Sequence, residues 1–123
     1  MNIEEVRTYA LSQQGATEDM PYGPDWVIFR IEGKIFLHIW LSSPEPTCAV
    51  KLPPEEGDRL REETSFIRPA YHLNKRHWND LYLNHVDDDT VRRLIQTSYH
   101  LVRSHLPRRL REKYEKGSID CVR

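Results

Sequence analysis

Between Arg68 and Trp78 the chain reads Arg-Pro-Ala-Tyr-His-Leu-Asn-Lys-Arg-His-Trp, the densest collection of partner-contacting side chains in the sequence. Arg68, Lys75 and Arg76 supply cations that suit phosphate oxygens, while Tyr71 and His77 add a stacking ring and a hydrogen-bonding ring. Pro69 and Asn74 keep the stretch out of regular helix or strand, and a loop of this composition on a rigid scaffold is where binding usually sits. A second basic run, Arg108, Arg109 and Arg111, stands near the C-terminus and could add contacts of the same kind. The nucleic-acid-binding set expected from the sequence is therefore Arg68, Tyr71, Lys75, Arg76, His77, Arg108, Arg109 and Arg111. Trp78, which opens a strand, is expected to be buried.

Other chemistry finds less support. His72 and His77 are five residues apart, as are His100 and His105. That spacing puts each pair on different faces of a helix or strand, and no cysteine lies near them, so no metal site is expected. Cys48 lies among apolar neighbours in a strand-like stretch, where thiols are usually inert. No nucleophile elbow, phosphate loop or dinucleotide fingerprint is present. The expectation is a protein without enzymatic activity or cofactor.

The 123 residues suffice for one domain with its own core. Hydrophobic residues make up 38% and charged residues 30%, an ordinary globular balance with no apolar run of membrane-spanning length. The start, Asn2-Ile3-Glu4-Glu5, is acidic where a targeting peptide would be basic. Two cysteines far apart suggest a reducing compartment, so a cytoplasmic monomer is expected, without membrane association. The net charge of −1 hides a division. Residues 1 to 65 carry 6 Lys/Arg against 12 Asp/Glu, and residues 66 to 123 carry 12 against 7. The basic half points to an anionic partner such as DNA.

The elements that must hold these residues can be read in order. Asn2 and Glu5 form a capping box for a helix to about Gln14, with Ile3, Val6 and Ala10 inward and Gly15 as its left-handed stop. Ala16 to Pro24 reads as an acidic connecting loop. Trp26 to Leu41 alternates around Glu32-Gly33 as a β-hairpin. Thr47 to Leu52 forms a third strand and Pro54 to Glu62 a short helix with proline in its first turn. Phe66 to Ala70 and Trp78 to Leu83 make two more strands. Asp87, Asp88 and Asp89 then cap and charge a final helix to about His105, its inner face carrying Val91, Leu94, Ile95, Ser98, Leu101, Val102 and His105. The order is α-β-β-β-α-β-β-α, an α+β two-layer sandwich of about five antiparallel strands with helices on one face. One domain spans 1–112, and 113–123 are expected to be a frayed tail.

Arg68-Pro69-Ala70-Tyr71, then Lys75-Arg76-His77-Trp78, a strand, and a last helix with Ser98-Tyr99 that ends near Leu106-Pro107 resemble the MmcQ/YjbR family over roughly residues 1 to 112. The resemblance implies a fold similar to frataxin/CyaY and to type III secretion chaperones. It also implies DNA binding through a "double wing" of loops projecting from the sheet. Glu32 departs from that picture, since a carboxylate at the tip of the first wing repels phosphate and Arg30 and Lys34 offset it only in part. Frataxin-type acidic ridges lie on the first helix, which here has only Glu4 and Glu5. The competing expectation is a protein-interaction or chaperone-like module that uses the open sheet face.

Overall fold

A computed structural model describes residues 1–70 and 72–114 of the chain. The order is α1 (Ile3–Leu11), β1 (Ala16–Asp19), β2 (Trp26–Ile31), β3 (Lys34–Trp40), β4 (Thr47–Lys51), α2 (Pro54–Glu63), β5 (Ile67–Pro69), β6 (Trp78–Tyr82) and α3 (Asp88–Ser104). A further helical segment covers 108–114. The strands form one antiparallel sheet of six, in spatial order β1-β2-β3-β4-β6-β5. The α+β class expected from the sequence holds, with six strands in place of about five. The additional strand is β1, inside the stretch expected to be a loop. Its pairing of Ala16 through Asp19 with Ile31 through Ile28 defines it.

Local chemistry accounts for the boundaries. Asn2 and Glu5 exchange both bonds of the capping box, at 2.8 and 3.0 Å. Helix α1 stops at Leu11, earlier than expected, and Gly15 takes φ +76° in the turn that follows. A Cβ there would lie 2.5 Å from the Tyr114 hydroxyl, so glycine is required both by conformation and by close approach. The β2–β3 turn has positive φ at both Glu32 (48°) and Gly33 (80°), the twist that tight hairpins favour. Asp87 caps α3 by accepting from the Thr90 N–H at 3.0 Å.

The helix-facing side of the sheet carries Phe29, Ile31, Leu37, Ile39, Cys48, Val50 and Leu81, all buried against Val6, Ala10, Val91, Leu94, Ile95 and Tyr99. Phe29 pairs with Leu37 and Arg30 with Ile35, so Phe36 is a bulge residue. The bulge lets Phe36 and Leu37 both join the core. Ser98, fully buried on α3, donates its hydroxyl to the Phe36 carbonyl and accepts from the Lys51 N–H at 2.9 Å. The β3–β4 ladder runs only from Ile39–Cys48 to Leu37–Val50, and the serine hydroxyl bridges the two strands just beyond it.

Two inward assignments on α3 need correction. Tyr99 is buried, while Leu101 is half-buried and His105 is exposed. His105 fails because it is the C-cap, where the backbone leaves the helix. The segment expected to fray from 113 onward begins with two helical residues. Tyr114 is buried there and, with Lys113, donates to the Glu32 carboxylate at 2.8 and 3.0 Å. The rest of that tail, 115–123, lies outside the described residues.

Candidate functional site

The face of the sheet away from the helices carries Trp26, Ile28 and Arg30 of β2, His38 and Trp40 of β3, Thr47, Ala49 and Lys51 of β4, and Trp78, Asp80 and Tyr82 of β6, by alternation through the pairing register. The central strand offers only Thr47 and Ala49 across its middle. Above these small side chains the β5–β6 connection folds back across the sheet, so that Ala70, His72 and Leu73 line a recess with Thr47, Ala49 and Asp80. His72 meets Trp26 and Trp40 edge-on at 6.0 and 5.4 Å. The expected wing is therefore a flap lying along the sheet, and its first half faces the aromatic residues of β2 and β3.

Hydrogen bonds within the loop hold that course. The Ala70 N–H donates to the Trp78 carbonyl at 3.1 Å, and the Leu73 N–H to the Ala70 carbonyl at 3.2 Å. Asn74 accepts from the Arg76 N–H through its side chain, an Asx turn, and from the Trp78 N–H through its carbonyl at 2.9 Å. Buried Asn79 anchors the end of the loop, donating to the His77 carbonyl and accepting from Arg61 of α2.

This arrangement divides the sequence-derived residues. Lys75 and Arg76 are exposed at the loop's far turn, and His77 is half-buried. Arg68 is exposed on β5, but its Nε–H donates to the Ser65 carbonyl at 2.7 Å and its guanidinium covers the Tyr82 ring. Tyr71 lies outside the described residues. Arg108 pairs with Glu112 at 3.0 Å, Arg109 is exposed, and Arg111 is half-buried with a buried Nε that has no hydrogen-bond partner among the described residues. Trp78 is half-buried on the open face, its ring 4.7 Å from His38, and is not the core residue expected. The strand period decides this, because the neighbouring Asn79 and Leu81 take the inward positions. Trp78→Ala should accordingly cost about 1–2 kcal/mol in a urea titration, less than a fully buried aromatic would. A loss above about 3 kcal/mol would return Trp78 to the core.

Two lysines that the motif did not include join this region. Antiparallel pairing puts Lys34, at the start of β3, and Lys51, at the end of β4, at one end of the sheet, where they line a groove of about 320 Å³ with Ile35, Val102 and His105. Trp78 pairs with Lys51, and the Leu52 N–H donates to the His77 carbonyl at 2.8 Å, so the second half of the loop arrives at the same end. Glu32 marks that end too, but its charge is met by Lys113. The Tyr114 and Lys113 hydrogen bonds lower its pKa and so keep it ionised, and it is the Lys113 charge that offsets the expected repulsion.

Charge pairing is uneven over the protein. Arg7, Arg30, Arg59, Arg61, Arg92 and Arg93 each pair with a carboxylate. Lys34, Lys51, Arg76, Arg103 and Arg109 have no carboxylate partner among the described residues.

The opposite end of the open face is aromatic and acidic. Trp26 and Trp40 stack at 5.7 Å with 9° between planes, and with Tyr22, His38, His72 and Leu73 they line a cleft of about 410 Å³. Met20, Tyr22 and Leu41 are the large hydrophobic side chains exposed nearby in the chain. Burial, aided by Arg30, lowers the His38 pKa to about 4, so this ring is neutral at pH 7. Burial raises the Asp80 pKa to about 6, with His72 acting in the other direction. Burial likewise pushes the Cys48 thiol up to about 12, which leaves it no nucleophilic thiolate at neutral pH. Among the described residues no group of three or more His, Cys, Asp or Glu side chains is arranged to hold a metal ion. No helix among them is long and apolar enough to cross a membrane.

A six-stranded sheet with helices on one face and a flap on the other defines an α+β class of small domains, and comparison with known proteins places the chain within it. The YjbR family model matches residues 11–101, and the chain belongs to that family. It is 30% identical over 115 residues to the uncharacterized protein YjbR of Escherichia coli (strain K12), covering 91% of this chain and 96% of that protein. It is 31% identical over 98 residues to the uncharacterized protein YbdF of Escherichia coli O157:H7, covering 79% and 80%. The crystal structure of Deinococcus radiodurans protein DR2400 superimposes with a TM-score of 0.85 at 23% identity, covering 91% of this chain and 86% of that one, which shows a shared fold.

Proposed function

We propose that this protein binds DNA without catalysing a reaction on it, holding backbone phosphates at the basic end of the sheet. Lys34, Lys51, Arg76 and Arg109 are the contacts, with Lys75 and His77 beside them. The observation that supports this reading is the uneven pairing of charge. Arg7, Arg30, Arg59, Arg61, Arg92 and Arg93 are paired with carboxylates, whereas Lys34, Lys51, Arg76 and Arg109 have no carboxylate partner among the described residues, and phosphate contacts supply most of non-specific affinity.

Four such contacts give a slope near −3.6 in log affinity against log salt, a loss on the order of a hundredfold between about 50 and 200 mM. Fluorescence anisotropy with a labelled duplex should show it. Replacing Lys51 and Arg76 together with alanine should weaken binding to unrelated sequences alike and flatten the slope by roughly two. No binding to duplex or single strands at tens of micromolar protein and about 50 mM salt would end the DNA reading.

A second reading, docking of a protein partner on the open face, is favoured by one observation, the exposure of Met20, Tyr22 and Leu41 at 46, 65 and 46% around the aromatic end.

A further inference from the structure

Asp80 sits in an unusual position for a carboxylate. It lies on the open face under the flap, in a recess of about 20 Å³, room for roughly one water, which shares the walls Trp26, His38, Trp40, His72 and Leu73 with the 410 Å³ cleft above it. Its carboxylate has neither a hydrogen bond nor an ion pair among the described residues. The guanidinium that the register places opposite it, Arg68, turns away to cover Tyr82. His38, the other polar group on the floor, has no hydrogen-bond partner among the described residues and carries no charge at neutral pH. Asp25, next to Trp26 in the chain, accepts from the Ser42 hydroxyl at 2.6 Å and has no cationic partner among the described residues. The cleft therefore combines aromatic walls with a carboxylate on its floor that has no hydrogen bond or ion pair among the described residues, His72 being the neighbour that favours its charge.

We infer that the cleft is a binding site for a small organic ammonium ion, held against the stacked Trp26–Trp40 pair and the Tyr22 ring above the Asp80 carboxylate. Aromatic faces attract a cation through their quadrupole, and a quaternary ammonium loses less hydration on entering an apolar box than a compact ion does. A phosphate or carboxylate ligand would meet Asp80 with like charge. A neutral apolar ligand would use the rings but would leave the carboxylate unsatisfied. The volume suits a small molecule, and the flap roofs the cleft on one side, which favours a free ligand over an extended chain. This inference is independent of the phosphate-binding reading, which concerns the other end of the sheet.

Trp26 and Trp40 line the cleft, so intrinsic fluorescence reports on it directly. Choline titrated at constant ionic strength should give a saturable change, with at least tenfold tighter binding than 3,3-dimethylbutan-1-ol, its uncharged isostere. Asp80→Asn should weaken choline at least tenfold and leave the alcohol unchanged. The same variant should melt no lower than the wild type at pH 8, so the loss cannot be put down to unfolding. Tyr22→Ala, at an exposed position, should also weaken choline. Equal binding of the alcohol, an unaltered choline affinity in Asp80→Asn, or a lysine-containing tripeptide that binds more tightly than choline would overturn the proposal.

Discussion

Tyr99→Ala should cost about 3–5 kcal/mol of folding stability, a large share of the roughly 5–15 kcal/mol available to a domain of this size. The Tyr99 ring is 2% exposed and meets Phe36 edge-on at 5.4 Å, where the bulged strand needs a large partner to fill the space it opens. Its hydroxyl donates to the Gln14 carbonyl at 2.6 Å, tying α3 to the turn after α1. Tyr99→Phe isolates that hydrogen bond and should lose only about 1 kcal/mol. Urea denaturation of both variants separates the contributions. A loss under about 1 kcal/mol for the alanine variant, with an unchanged denaturant slope, would mean that the ring is not packed as described.

Ser98→Ala removes a single oxygen, yet about 2–4 kcal/mol should be lost. The hydroxyl satisfies two backbone groups at once, the Phe36 carbonyl and the Lys51 N–H, and each left unsatisfied in the interior costs about 1–3 kcal/mol. Amide exchange gives an independent reading. The Lys51 N–H should exchange faster in the variant by more than the change in global stability explains, while amides in the middle of β4 follow the global value. Unaltered protection at Lys51 would show that the ladder closes without the serine.

Much of this architecture is legible in the chain because local signals and tertiary context agree. Asn2 with Glu5, Glu32 with Gly33, Pro54 and the aspartate run each name an element end through backbone chemistry that operates within a few residues. Strand β1 was not legible, since of Ala16, Thr17, Glu18 and Asp19 only Thr17 favours a strand and the four show no apolar alternation. It exists because β2 offers it a ladder. On α3, Tyr99 and Leu101 stand on opposite margins of one apolar stripe, and it is Tyr99 that is covered, packing edge-on against Phe36. The candidate site was legible as residue types but not as geometry. The loop's composition marked it as a candidate, but the recess it roofs is floored by Thr47 and Ala49, small residues more than twenty positions away in sequence. Lys34 and Lys51 become neighbours of that loop only through antiparallel pairing, which no local pattern announces.

The strand order also bears on how this protein behaves at high concentration. An open sheet has two margins, and an exposed margin is a template for addition of another chain and for fibre growth. Here one margin is β1, four residues long, with Glu18 held by Arg7 and Asp19 by Arg30. The other is β5, three residues ending in Pro69, which has no N–H to offer. The two long, strongly apolar strands, β2 and β3, are both interior, so each protects the other's backbone while the short charged or proline-ended strands face outward. Adding a seventh strand at either margin would gain few hydrogen bonds and would bring carboxylates or a proline ring into the new ladder. The sheet is thus self-limiting in width, and its open surface can stay uncovered by helices without inviting polymerisation.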